Sequence, residues 1–101
     1  MDSAEARLAA MGWPVEEEDF GRADEPDVQG CLLIEEVEGG VRARIVVRPG
    51  LQGDVRKSFA EWAESRLQRF MEHGPEPDGW QKRSDGGWQM WARLHQMPSW
   101  E

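Results

Sequence analysis

A chain of 101 residues whose single cysteine is Cys31 can close no internal disulfide, and it has no Cys/His cluster to hold a structural metal. Two domains would each be too small to bury a useful core unaided, so the length predicts one α+β domain over residues 1–101, held by apolar side chains that include six tryptophans. The net charge of −8 argues against direct binding of nucleic acid or anionic lipid, since both are polyanions, and leaves a protein partner with a basic surface open.

The charge is not evenly spread. Seven acids and one base lie within residues 16–27, so most of the excess sits in one segment. The first residues show no basic region followed by an apolar run, and no apolar stretch approaches the roughly 20 residues that span a bilayer. A cytoplasmic protein with no membrane partner is the expectation.

Residues 2–12, DSAEARLAAMG, read as a short first helix. Asp2 and Glu5 are a candidate capping pair, Ala4, Leu8 and Met11 form an apolar stripe, and Gly12 suits the position after the helix end. Residues 14–30 read as an acidic loop punctuated by Pro14, Gly21, Pro26 and Gly30, with a short edge strand over 15–20, anchored by Phe20, as an alternative.

Residues 31–48 read as a β-hairpin in which CLLIEEV and VRARIVVR flank Glu38-Gly39-Gly40. A two-residue turn sets Glu35 opposite Arg44, and a three-residue turn sets Glu36 opposite Arg42. Either makes a cross-strand charge pair, so both registers are open.

The longest periodic stretch is the helix predicted over 54–73. Val55, Phe59, Trp62, Ala63, Leu67, Phe70 and Met71 recur at the spacing of one buried face. Asp54 is the candidate N-cap, and Gly74-Pro75 ends the helix. Residues 79–94 then read as a second hairpin. The favoured three-residue turn pairs Ser84 with Trp88 and aligns Trp80 and Lys82 with Trp88, Met90, Ala92 and Leu94. Residues 95–101 form a tail. The order helix–hairpin–helix–hairpin predicts one antiparallel sheet of four strands, five if the acidic segment adds an edge, with both helices packed on one face.

For function, two sets of residues are the candidate partner-binding groups: Glu16, Glu17, Glu18 and Asp19 in the acidic run, and Arg83, Trp91 and Arg93 on the outer face of the second hairpin. Tryptophan and arginine are common interface anchors. The acidic run lacks the ligand spacing and fixed glycine of a calcium loop, so no metal is expected. Gly39-Gly40 and Gly86-Gly87 are hairpin turns and precede no helix, so no phosphate-binding cofactor is expected either.

No catalytic residue is assigned. The leading expectation is a small acidic non-enzymatic interaction module: an adaptor, chaperone or inhibitor that binds another protein. A small hydrolase or transferase would need Cys31, His73 and His95 to converge in one cleft. A weak single-stranded nucleic-acid binder would stack bases on Trp91 and pair phosphates with Arg83 and Arg93. A homodimer through an uncovered hairpin edge is compatible with the sequence. In size, acidity and helix–strand order the chain resembles small acidic chaperones that hold secreted effectors, a resemblance at the level of fold class that implies protein binding and no fixed partner.

Overall fold

In the computed structural model, which describes residues 3–19, 28–76 and 79–93, the chain runs α1 (Ala4–Ala10), β1 (Val15–Glu17), β2 (Val28–Val37), β3 (Gly40–Val47), α2 (Gly53–His73), β4 (Gln81–Lys82) and β5 (Trp88–Arg93). Two helices and a five-stranded sheet of order β1-β3-β2-β5-β4 make an α+β fold.

The sheet is mixed, which corrects the expectation of purely antiparallel strands. The pairs β2–β3, β2–β5 and β4–β5 are antiparallel. β1 lies outside β3 and runs parallel to it, with Val15 opposite Ile45 and Glu17 opposite Val47. Since β3 is antiparallel to β2, β1 also runs opposite to β2. Residues 15–17 of the expected acidic loop are therefore an edge strand. Phe20, its supposed anchor, lies outside the described residues.

α1 begins at Ser3, whose Oγ accepts the Ala6 N–H at 3.1 Å. The cap is thus Ser3 rather than Asp2, which is outside the described residues. Gly12 ends the helix as expected, at φ +89°. Its N–H donates to the Ala9 carbonyl and the Trp13 N–H to the Leu8 carbonyl, both at 3.0 Å, which helps satisfy the carbonyls of the last turn.

α2 starts one residue before the expected Asp54 cap. Gln52 is the capping residue and makes no side-chain hydrogen bond to the helix; Asp54 instead places its charge in the first turn, where it meets the positive end of the helix dipole. Phe59, Trp62, Ala63, Leu67 and Phe70 are buried as their spacing predicts, and Ser58 and Ala60 join them. Met71 does not. It is half exposed, as is Met11 at the end of α1.

The first hairpin takes neither expected register. Glu38-Gly39 is the turn, Gly39 supplies φ +87°, and Val37 faces Gly40. Leu32 then sits opposite Ile45 and Ile34 opposite Ala43, all directed at the helices. The three-residue turn would have sent Cys31, Leu33 and Glu35 into that core. Glu35 pairs with Arg42, Nη2 to Oε2 at 2.6 Å.

The second hairpin has the expected three-residue turn with a left-handed glycine, displaced by one residue. Ser84-Asp85-Gly86 is the loop, Gly86 has φ +96°, and Arg83 exchanges hydrogen bonds with Gly86 and Gly87. Lys82 therefore pairs with Trp88, and Ser84 does not. The register moves by two residues, which leaves Trp88, Met90 and Ala92 on their expected face; Leu94 lies outside the described residues. Asp85 Oδ1 accepts the Gly87 N–H at 3.0 Å, and that bond, with Arg83 nearby, holds the Asp85 carboxyl below its usual pKa.

One core joins these parts. Leu8 of α1, Phe59, Ala63 and Leu67 of α2, Leu32 and Ile34 of β2, Ile45 and Val47 of β3 and Ala92 of β5 belong to a single cluster. Trp80 closes it at the β4 end, edge-on to Phe70 with ring centroids 5.1 Å apart. The buried indole nitrogens of Trp62 and Trp80 have no acceptor among the described residues. At Gly30 sheet and helix approach closely: a Cβ there would overlap the Val46 carbonyl oxygen and the Phe59 ring.

Candidate functional site

Side chains alternate across a sheet, so the register that sends Leu32 and Ile34 to the helices sends Cys31 and Leu33 to the other side. This accounts for the unbroken apolar run CLLI. Both described helices pack on the first side. On the second, the strand partners line up in transverse rows. Glu16, Val46, Cys31 and Trp91 form one row across β1, β3, β2 and β5. Arg44, Leu33, Gln89 and Gln81 form the next. The centre of this helix-free face is apolar and already buried, with Val46 and Cys31 each 4% exposed, and its β1 side is charged.

Arg44 organises that charged side. Its Nη2 lies 2.8 Å from Glu18 Oε2 and its Nε 3.7 Å from Glu16 Oε2. Glu17, one residue out of phase, belongs to the helix side. It accepts the Gly50 N–H at 3.1 Å and lies 4.0 Å from Arg56 Nη1. Arg56 in turn grips Glu5 with two hydrogen bonds of 2.9 and 3.1 Å. The bond to Glu5 raises the Arg56 pKa, with the charges of Glu5 and Glu17 adding to it and burial opposing.

The acidic residues expected to await a partner are thus engaged within the chain. Glu16 and Glu18 hold Arg44, Glu17 tethers β1 to the turn before α2, and Asp19 also has an interaction of its own.

The aromatic–basic set is divided as well. Trp91 and Arg93 are half-buried on β5, each with contacts of its own. Arg83 stands at the hairpin loop, bound to Asp85 Oδ2 at 3.1 Å. The fold brings Glu16, Glu18 and Trp91 to one face, at the two sides of the Val46–Cys31 centre, and leaves Glu17 behind it. No sequence periodicity could show this, because the neighbourhood arises from the strand order β1-β3-β2-β5.

Cys31 is buried on the same face, its Sγ 3.7 Å from the Leu32 carbonyl oxygen. His73 is exposed at the end of α2, with Nε2 3.6 Å from Glu72 Oε2. The sheet therefore stands between the thiol and the helix that carries this imidazole. His95 lies outside the described residues. Among the described residues no group of His, Cys, Asp or Glu is placed to hold a metal ion, and no helix is long and apolar enough to cross a membrane.

The seam between α1 and α2 was not anticipated. Arg7 grips Glu64 through Nε and Nη2 at 2.6 and 2.7 Å. The pair holds the Glu64 carboxyl below its usual pKa, chiefly through the hydrogen bond and against a small opposing effect of burial. On one side of this clamp a hollow of about 540 Å³ is lined largely by small side chains such as Ala4, Ala9 and Ala60. On the other, Met11, Trp13, Leu67 and Met71 surround a hollow of about 230 Å³. The available signal was the placement of both methionines at the C-terminal ends of their helical stripes, where neighbours run out.

Compared with known family models, curated proteins and solved structures, the chain gives no match.

Proposed function

We propose that the chain is a non-enzymatic interaction module, an adaptor, chaperone or inhibitor, that meets another protein through the helix-free face of its sheet. The observation that supports this reading is the row Glu16–Val46–Cys31–Trp91, in which the half-buried Trp91 and the Arg44 ion pairs stand at the two sides of the buried Val46 and Cys31, on a face that neither described helix covers. A tryptophan near charged pairs is a common interface anchor. The net charge of −8 favours a partner with a basic surface.

The separation of Cys31 from α2 weighs against an enzyme that would pair the thiol with His73. Edge strands of three and two residues weigh against a homodimer formed by strand pairing, because short edges template poorly.

The test is an affinity pulldown with the intact chain and with Trp91→Ala. The reading expects partners that the wild type retains at low salt and that the variant loses. Identical partners from both would remove this face from consideration.

A further inference from the structure

The helix-free face leaves one feature of the molecule unexplained. Three large hydrophobic side chains among the described residues stand in solvent: Met11, Val37 and Met71. Val37 flanks a hairpin turn, where isolated exposure is ordinary. Met11 and Met71 are sixty residues apart in the chain, yet they border the same hollow, with the half-buried Trp13 beside them and Leu8 and Leu67 at its base. Two helices have been brought side by side so that their apolar stripes continue past the end of the core.

We infer that this end of the α1–α2 seam is a docking groove for a basic amphipathic helix of another protein. Three observations choose that occupant. The first is shape: the hollow lies between two helices and has room for a leucine or phenylalanine side chain, the geometry of helix-in-groove recognition. The second is chemistry: methionines are unbranched and polarizable, and adapt to differing apolar anchors.

The third is charge. The clamp neutralises Arg7 and Glu64 against each other, so among the described residues that line the hollow the exposed Glu72, 3.6 Å from the His73 ring, sets the sign of the rim. A second copy of this chain would bring −8 against −8 and an acidic rim against an acidic rim, and an anionic lipid surface would be repelled in the same way. A helix with lysines or arginines flanking its apolar stripe satisfies both the groove and its rim. This site is separate from the helix-free face, so either can fail without the other.

The probe is a fluorescein-labelled Leu/Lys amphipathic peptide, titrated with the full chain and followed by anisotropy. Binding is expected to saturate, to weaken with added salt, and to weaken by about tenfold or more in Met71→Lys and in Met11→Lys. Both positions are solvent-facing, and circular dichroism checks that each variant folds. Val37→Lys adds the same charge at the first hairpin and is expected to stay within about twofold of wild type, the scale of a rim-charge effect. Glu72→Gln should reduce the salt dependence while keeping the apolar contact. The inference is overturned if Val37→Lys weakens binding as much as Met71→Lys, or if a Ser/Lys peptide of equal charge binds as tightly. A wild-type dimer in sedimentation that Met71→Lys dissolves would assign the groove to a second copy and overturn it too. Loss of pulldown partners in Trp91→Ala with peptide binding intact separates this site from the helix-free face.

Discussion

Towards α1 and α2, strands β2 and β3 present Leu32, Ile34, Ile45 and Val47, each no more than 1% exposed, and α2 meets them with Phe59, Ala63 and Leu67. On their other side the same two strands present Cys31, Leu33, Arg44 and Val46, and the charged part of that surface is knit by the Arg44 and Arg42 ion pairs. The difference in worth is large. Truncating a buried aromatic or branched side chain costs several kcal/mol through lost transfer energy and the cavity left behind. An exposed ion pair contributes about 0–1 kcal/mol, because water competes for both partners. The largest buried side chains thus lie on the helix side; on the opposite face Val46 and Cys31 are buried as well, and it is the charged border around Arg44 and Arg42 that can change its side chains at little cost to the fold.

Phe59→Ala should sharpen the contrast most. Phe59 is fully buried, and its loss is expected to cost about 3–5 kcal/mol in urea unfolding, enough to threaten a domain of this size. A cost near zero would mean that the core is elsewhere.

The Arg7–Glu64 clamp is intermediate, since Glu64 is mostly covered and Arg7 is not. Its carboxyl has a folded pKa below the ordinary 4.5, so the clamp's contribution is fully present above that value and is lost as pH falls through the lower folded value. Glu64→Gln should lower stability at neutral pH by about 1 kcal/mol and flatten the acid limb of stability against pH. An unchanged acid limb would show that the clamp does not persist in solution.

Arg44→Ala is expected to have the smallest effect, within about 1 kcal/mol although it removes two ion pairs. A loss rivalling that of Phe59→Ala would erase the distinction between the faces.

The helices were the most legible part of the sequence. The stripe of α2 is long enough for a period to stand out, and Gly12 and Gly74 mark the helix ends by the backbone angles they allow. The caps were less legible, because neighbouring polar residues compete for one role: Ser3 with Asp2, Gln52 with Asp54. Hairpin registers were not legible. In both turns several adjacent residues suit the loop, and registers two residues apart put the same side chains on the same face. Three residues of β1 are too few to show a strand period, and nothing local marks a parallel partner as distant as β3. For the candidate site, the sequence supplied the residues but not their company. Glu16 and Trp91 share a face only because β3 and β2 lie between their strands, while the strand alternation that brings Glu16 forward turns Glu17 away.

The missing side chain at Gly30 has a mechanical meaning. With no Cβ in the way, the Phe59 ring comes down onto the backbone of the central strand, beside the Val46 carbonyl of the next one. The ring acts as a tooth and the glycine as its notch. Two smooth apolar surfaces could slide past each other at little energetic expense, but a tooth in a notch cannot. The placement of α2 along the sheet is therefore set at one point, and everything hung on that helix, from the Glu64 clamp to Met71, inherits its alignment from an absent methyl group.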